Sequence, residues 1–300
     1  MKISVVMATY NGERYLRDQL ESIIKQTLKL DEVIVCDDSS TDSTVEILEQ
    51  YRIDHQIKFY VNKNRLGLIK NFKNAVSRVK DGNYIALSDQ DDVWFPDKLE
   101  KCAKALKAID QLNIPCMAHS DLLYVDAEDN IISPSFRKSL GQHKYAQNLQ
   151  TLLYGNFVNG CTAIFNPALK ESFLAMPDQI TLNHDGWMAL LAFTFGQVAY
   201  VNEPLVRYRK HHSNASIDNN KQVNNRFITS ARQLFKASQK KDYFLNAQLD
   251  TVAQFYEYYS ADMPEEKREI FEGFLNLKNA GFLLKKLAFA KIVRKYAVQL

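Results

Sequence analysis

The stretch Tyr84-Ile85-Ala86-Leu87-Ser88-Asp89-Gln90-Asp91-Asp92-Val93-Trp94 decides how this chain is organised. Residues 84–88 have the composition of a buried strand. Asp89-Gln90-Asp91-Asp92 then crowds three carboxylates into four positions. Like charges this close repel, and the pKa of at least one rises unless a cation sits among them. A strand that ends in such acids suggests a divalent metal with oxygen ligands. A solvated acidic turn is the plainer alternative, since Asp is common in turns.

The residues upstream give this stretch its context. Residues 3–8 form a β-branched apolar run, broken by Thr9-Tyr10-Asn11-Gly12. Leu16, Leu20, Ile23 and Ile24 then share one helical face. Residues 32–36 predict a second buried strand, ended by Asp37-Asp38-Ser39-Ser40, with Thr41-Asp42 able to cap the next helix. In that helix Ile47, Leu48 and Tyr51 face inward, joined by Val45. Residues 57–61 predict a third strand and residues 68–79 a helix. This alternation predicts a mostly parallel sheet with helices on both faces. The polar residues cluster at the C-terminal strand ends: Thr9, Asp37, Asp38, Asn62 and Asp89. In open α/β sheets, ligands bind outside those ends. No GxGxxG follows the first strand and no GxxxxGK[ST] occurs, which argues against a dehydrogenase or P-loop ATPase.

The second part of the chain is less regular. The pattern predicts a helix over 97–112, with Leu99, Cys102, Ala103, Leu106 and Ile109 inward, and a strand over 116–125. A turn follows at 127–130, then loop or short helix over 137–148. A strand over 160–165, a helix from Asn166-Pro167 and a helix over 184–195 come next. Two short strands, 198–201 and 204–208, precede a polar loop at 213–222. From 225 onward the pattern is helical, apart from Met263-Pro264. The expected domains are a main domain over 1–215, in two halves near 1–112 and 113–215. A helical appendage over 225–300 follows.

Composition narrows the function classes. A net charge of +3 over 300 residues gives no case for nucleic-acid binding. The four cysteines form no CxxC pair, which fits a reducing compartment. The first residues are too strand-like for a signal peptide, and no apolar run reaches the length of a membrane span. A cytoplasmic protein is expected.

Three chemical needs would use these polar ends. A carboxylate at Asp37 or Asp38 can accept from a nucleotide base or sugar, or simply cap a helix. Asp89 and Asp91, two apart in an extended segment, point the same way and could divide a metal and a ribose hydroxyl between them. Asp185, in the first turn of a helix, could serve as a base or satisfy the helix N-terminus. Arg207-Tyr208-Arg209-Lys210-His211-His212 supplies cations and imidazoles, either ligating or solvated.

Six stretches, in order, resemble the motif set of family 2 glycosyltransferases. They are Val5-Val6-Met7-Ala8-Thr9-Tyr10-Asn11-Gly12, Asp37-Asp38-Ser39-Ser40-Thr41-Asp42, Ser88-Asp89-Gln90-Asp91-Asp92-Val93-Trp94, Asn159-Gly160-Cys161-Thr162, His184-Asp185-Gly186-Trp187 and Tyr208-Arg209-Lys210-His211-His212-Ser213-Asn214. The third is most similar to the bacterial rhamnosyltransferase branch, which builds cell-wall and surface polysaccharides. The resemblance implies a GT-A fold, a nucleotide-sugar donor (dTDP-L-rhamnose favoured, a UDP-hexose or UDP-N-acetylhexosamine as alternative) and inverting transfer to a glycan acceptor, often lipid-linked. It implies that Thr9, Tyr10 and Glu13 flank the nucleotide, that Asp38 binds its base and that Asp89 meets the ribose or diphosphate. Lys70 and Asn71 resemble further donor-contacting positions. Asp91 would hold Mg²⁺ or Mn²⁺ with His211 completing the site, and Asp185 would be the general base. Asn159, Gly160 and Cys161 would lie near the transferred sugar, and Trp187 near the acceptor. Asp92 is left open between orienting a neighbour, approaching the acceptor and capping the turn. Many relatives have Glu-Asp where this chain has His184-Asp185, so His184 could orient Asp185, contact the acceptor or cap the helix.

Two other classes compete. A haloacid-dehalogenase-type phosphatase would use Asp89 and Asp91 as a DxD pair, but it needs a later Gly-Asp, and that dipeptide does not occur. A silent carbohydrate-binding protein of the same fold would not need both Asp91 and Asp185. Finally, every charged residue over 275–300 is basic, interleaved with leucines and phenylalanines. Such a helix suits an anionic membrane surface on the inner face of the cell membrane, or a homodimer contact.

Overall fold

The computed structural model describes residues 1–55, 57–180, 183–211 and 245–298. The first half alternates as its sequence pattern demands. Strand β1 (Ile3–Thr9) leads to helix α1 (Leu16–Ile24), β2 (Glu32–Asp37) to α2 (Thr44–His55), and β3 (Lys58–Val61) to α3 (Leu68–Ser77) before β4 (Tyr84–Asp89). β1 and β2 are buried along their whole length. Both sheet faces are therefore covered, which is why these strands read as apolar runs rather than alternating ones. Val5, Met7, Val33 and Val35 join Leu16, Leu20, Ile23, Ile47 and Leu48 in one core. On the other side α3 packs on β1 and β2.

With β5 (Val93–Trp94), β6 (Cys116–Asp126), β7 (Ile131–Ser133), β8 (Ile164–Phe165) and β9 (Gln197–Lys210), the sheet order is β3-β2-β1-β4-β8-β6-β9-β5, with β7 paired to β6. The first four strands are parallel. Beyond them the pairing turns antiparallel, at β4–β8, β6–β8, β6–β7 and β5–β9. Parallel character thus belongs to the half near 1–112, which the resemblance assigns to the nucleotide sugar, the half near 113–215 being assigned to the acceptor.

After β4 a two-residue strand, β5 (Val93–Trp94), precedes α4 (Lys98–Ile109) and β6 (Cys116–Asp126). β7 (Ile131–Ser133) and the short helices α5 (Phe136–Ser139) and α6 (Leu149–Leu152) follow. Residues 160–165, expected as a strand, divide into a 3-10 turn (Gly160–Thr162) and β8 (Ile164–Phe165). Here the backbone N–H of Ala163 turns back onto Gly160 O at 2.9 Å. Asn166 caps α7 (Pro167–Leu174) through Leu169 N–H. Helix α8 (His184–Phe195) is buried almost all round. The two short strands expected after it are one, β9 (Gln197–Lys210), which continues through Pro204. The polar loop expected at 213–222 lies outside the described residues.

The chain divides into two compact units, Met1–Gln142 with Asn156–Arg209, and His143–Gly155 with Lys210–Leu300. The segment 143–155, expected in the catalytic domain, therefore belongs with the C-terminal unit. That unit contains α6, α9 (Asn246–Tyr259), α10 (Glu265–Leu275) and α11 (Phe282–Lys295). Phe255 of α9 stacks on Phe271 of α10 at 5.6 Å. Tyr154 packs against Phe274 at 4.9 Å and Phe289 at 5.6 Å. The helical expectation over 225–244 lies outside the described residues.

Gly196, which closes α8, is fixed by packing. A Cβ there would lie 1.6 Å from the carbonyl oxygen of Pro115, which already accepts Gln197 N–H at 3.0 Å. Gly196→Ala is expected to destabilise the fold by about 1–3 kcal/mol, the usual cost of overpacking, read as a lower urea midpoint with an unchanged slope.

Candidate active site

The site is built where β1, β2 and β4 end. Register sets the arrangement: Thr9 lies level with Asp37, and Ala8 with Asp89. Asp37 is buried and fully engaged. Its carboxylate accepts from Thr9 Oγ1 at 2.8 Å, from Ser40 N–H at 2.8 Å and from Ser40 Oγ at 2.5 Å. Asp38 is buried too. Its Oδ1 accepts from Leu66 N–H at 2.7 Å and Asn62 Nδ2 at 3.0 Å, and its Oδ2 from Gly67 N–H at 2.8 Å. Asp38, expected on a nucleotide base, therefore organises the loop before α3.

The other expected donor residues divide into those that build the edge and those that line it. Thr9 is spent on Asp37. Asn71 is buried and structural, its Nδ2 donating to Cys36 O at 2.8 Å and its Oδ1 accepting from Asn62 at 2.8 Å. Glu13 is exposed and accepts from Ser43 N–H at 2.9 Å, beside the start of α2. Lys70 is an exposed cation near Asp178 at 3.6 Å. Tyr10 is half-buried, with the guanidinium of Arg65 stacked 3.9 Å from its ring centre.

Two glutamines, Gln19 and Gln90, hold the acidic turn. Gln90 pairs with Tyr10 at both ends, accepting Tyr10 N–H at 2.8 Å and donating to Tyr10 O at 3.0 Å. Its amide lies so close to Gly12 that a Cβ there would meet Gln90 Oε1 at 2.3 Å. Gln19 is wholly buried on α1 and donates to Ser88 Oγ at 2.7 Å and Asp89 O at 3.1 Å. A signal existed for Gln19, which falls on the same helical stripe as Leu16, Leu20 and Ile23.

Within the turn the acids differ. Asp89 and Asp91 are half-buried, whereas Asp92 is wholly buried. Burial, then the negative charges of Asp91 and Asp185, push the Asp89 carboxyl up to about 8. Asp92 is raised as well, by burial and then by Asp91 and Asp89. Ligand atoms of Asp89, Asp92 and Cys161 lie within 4.8 Å of one another. Cys161 offers a poor ligand for a hard cation, because burial and the neighbouring acids hold its thiol protonated. Crowded carboxylate oxygens are the donor set that Mg²⁺ or Mn²⁺ takes, one or two carboxylates at a time, so the turn fits such an ion.

Asp185 stands in the first turn of α8, half-buried, with Gly186 N–H donating to its Oδ1 at 2.7 Å. Burial pushes its carboxyl up to about 6 despite backbone N–H groups of Gly186 and Gly160 that favour the ion. Gly160 approaches so closely that a Cβ would lie 3.0 Å from His184 Nε2 and 3.5 Å from Asp185 Cβ. His184 is not the cap of α8, which is Asn183. Its ring packs on Phe72 at 4.3 Å and edge-on to Phe173 at 6.1 Å, and burial lowers its pKa to about 4, so it is neutral. Of the region expected near sugar and acceptor, Asn159 is half-exposed, while Gly160, Cys161, Trp187 and Asp92 are buried. Trp187 in particular is a wholly enclosed core residue. His211 follows β9 and belongs to the second unit.

Comparison with known proteins gives this geometry its family. The family described as Glycosyl transferase family 2 matches residues 4–173. The dTDP-rhamnosyl transferase RfbG of Shigella flexneri is 30% identical over 226 residues, covering 69% of this chain and 72% of that protein. S. aureus TarS 1-349, solved with UDP-GlcNAc, superposes with a TM-score of 0.58 at 18% identity, covering 99% of this chain and 89% of that one. The mannosyltransferase PcManGT of Pyrobaculum calidifontis, solved with GDP-Man and Mn²⁺, gives 0.56 at 16% identity, covering 99% and 76%. The chain shares with these structures the GT-A fold, a mixed sheet covered by helices. The chain is a glycosyltransferase and belongs to glycosyl transferase family 2.

Proposed function

We propose that this glycosyltransferase moves a sugar from a nucleotide donor to a hydroxyl of a glycan acceptor in one inverting displacement, with Asp185 as general base. The observation that carries this reading is the placement of Asp185. It is a carboxylate at the head of a buried helix, within electrostatic reach of Asp89 and tied to Gly160 by a backbone N–H. An acceptor hydroxyl is a poor nucleophile. Asp185 takes its proton as the oxygen bonds to the anomeric carbon, and the bond from that carbon to the diphosphate breaks on the opposite face. Holding both substrates in line supplies much of the acceleration.

In this reading Asp89 meets the donor, and Asp91 holds a divalent cation. Mg²⁺ or Mn²⁺, when bound, supplies charge neutralisation for a departing diphosphate. Tyr10 and Lys70 border the donor region. Thr9, Glu13, Asp38 and Asn71 support it through the hydrogen bonds already described. Asn159 and Gly160 border the transferred sugar. Cys161 and Trp187 act through packing.

The favoured donor is dTDP-L-rhamnose, supported by the similarity to RfbG; a UDP-hexose or UDP-N-acetylhexosamine is the alternative. The favoured acceptor is a lipid-linked glycan of a surface polysaccharide, met on the cytoplasmic face of the membrane. Helix α11 supports a membrane contact. Leu283, Leu284 and Leu287 are 55%, 61% and 57% exposed, whereas Lys285 is buried and donates to Asn246 Oδ1 at 2.8 Å. The outward leucines of the first half of α11 give way to exposed Lys291, Arg294 and Lys295 at its C-terminal end. An apolar strip beside cations complements an anionic lipid surface. Among the described residues no helix is long and apolar enough to cross a membrane.

Asp185→Asn is expected to leave donor binding intact and to lower transfer about 10²–10⁴-fold, measured with radiolabelled dTDP-L-rhamnose, UDP-glucose and UDP-N-acetylglucosamine in parallel. Normal turnover would remove the base assignment. Because Asp185 must be ionised to accept a proton, and its carboxyl titrates near 6, kcat/KM should hold above that pH and fall about tenfold per unit below it. Asp91→Ala should abolish the Mn²⁺-dependent part of nucleotide binding in calorimetry. A residual Mn²⁺ effect of native size would place the ion elsewhere. In flotation, the full chain should rise with phosphatidylglycerol vesicles and not with neutral ones. Replacing Leu283, Leu284 and Leu287 by Ser should abolish this. A native chain that ignores both vesicles but becomes monomeric on that replacement would make the strip a contact between copies.

A further inference from the structure

Helix α1 directs polar side chains at the backbone around the acidic turn. Gln19 and Ser22 lie three residues apart and so share a helical face, and Gln26 follows just past the helix end. Gln19 is wholly buried and Ser22 half-buried. A buried amide is unfavourable unless hydrogen bonds offset its lost hydration, so the partners of Gln19 show what holds it there.

Those partners form one relay. Trp94 N–H donates to Ser22 Oγ at 3.0 Å. The hydroxyl proton of Ser22 is then left for Gln19, whose Oε1 and backbone O each lie at 2.8 Å. With Oε1 engaged, the amide nitrogen of Gln19 points the other way. It donates to Ser88 Oγ at 2.7 Å and to Asp89 O at 3.1 Å. A backbone carbonyl can only accept, which fixes the orientation of the amide. Asp89 and Trp94 are the two ends of a six-residue segment that contains all three acids of the turn. Two side chains of one helix therefore close that segment at its base. Gln26 bonds elsewhere. It donates to Phe95 O at 2.8 Å and accepts Leu99 N–H at 2.9 Å, so it ties the start of α4 to α1 from outside the closed segment.

We propose that Gln19 and Ser22 are positioning residues that clasp the acidic turn at its base and hold Asp89 and Asp91 in the arrangement that receives a metal ion and the donor. Gln19 is wholly buried, so it touches neither ligand and acts through the carbonyl of Asp89. Joining the ends of a short loop restricts it before any ligand arrives, which reduces the entropy lost on binding. The roles of Asp89 and Asp91 rest on the function proposed above; the clasp itself does not.

The test compares Gln19→Met, Ser22→Ala, their combination, Ser22→Thr and Gln26→Met with the native chain. Methionine keeps the length of glutamine and removes its amide. Two readouts are followed: hydrogen exchange over residues 89–94 without ligand, and the MnCl₂ concentration for half-maximal binding of UDP and, separately, of dTDP. Exchange should quicken in Gln19→Met and in Ser22→Ala, because the Trp94 N–H is held by the relay. The half-saturating Mn²⁺ should rise about tenfold in both, the loss typical when the support behind a metal ligand is removed. The combined variant should be no worse than Gln19→Met, since a single relay is broken once. Ser22→Thr keeps the hydroxyl and should stay near native. Gln26→Met should lower the thermal midpoint and leave both readouts native. Native Mn²⁺ binding in Gln19→Met overturns the proposal, even if exchange quickens. So do losses that add in the combined variant, or an equal loss of Mn²⁺ binding in Gln26→Met, which would make the effect one of general stability. If Gln19→Met fails to fold, Ser22→Ala decides on the same criteria. If the native chain binds neither nucleotide in a Mn²⁺-dependent way, the metal assignment falls, and exchange over 89–94 still decides the clasp.

Discussion

Strand β1 lies between β2 and β4 in parallel register, with Thr9 level with Asp37 and Ala8 level with Asp89. That alignment brings acids from two strands to one edge of a sheet whose faces are sealed by helices. Carboxylates at such an edge need partners, and the chain provides them in different ways. Asp37 and Asp38 take backbone N–H groups and polar side chains from the loops that follow. Asp185 takes backbone N–H groups at the head of α8. Asp89 has none of these compensations on the scale of its burial, and its carboxyl rises accordingly. Where compensation is complete, the acid is part of the scaffold. Where it is incomplete, the acid is ready for a ligand.

The same distinction separates what the sequence made legible from what it did not. The parallel half was readable because strands buried on both faces must be apolar throughout, and the helices between them keep a 3.6-residue stripe. The acids at the strand ends were readable because nothing in packing calls for them. Helix α8 was readable to the residue, since its apolar run begins after His184-Asp185. The antiparallel half was less legible. Two-residue strands such as β5 and β8 carry too few residues for a period, and the continuous β9 was hidden by Pro204. Side-chain roles were the least legible. Asp38 and Asn71 look like ligand contacts in sequence, yet their hydrogen bonds go to Leu66, Gly67 and Cys36, partners set by tertiary placement. Gln19 and Gln90 carry no such mark in the sequence, and their partners Ser88, Asp89 and Tyr10 lie far away in the chain.

Closeness of backbone is the second constraint on the site. Gly12 admits the Gln90 amide, and Gly160 admits the first turn of α8. In both places a side chain is excluded so that a polar group can reach main-chain atoms. The Gln90–Tyr10 pairing joins the β1 loop to the acidic turn as a ladder rung would, although no strand pairing exists there. His184 contributes differently. As a neutral ring between Phe72 and Phe173, it anchors the residue beside the base without adding a charge that would perturb Asp185.

The saturation of Asp38 bears on how nucleotides compete with one another. Each of its oxygens already accepts a backbone N–H, from Leu66 or Gly67, and these bonds hold the loop ahead of α3. A base that hydrogen-bonds to Asp38 in place of those N–H groups must loosen that loop, and its observed affinity is reduced by the free energy of loosening. A base that leaves the loop intact avoids this cost. Selectivity among nucleotides at this edge is then set by the stiffness of a six-residue connection as well as by direct contact. Substitutions in residues 62–67 that touch no ligand would rescale every base that uses Asp38 by the same factor and leave the others unchanged.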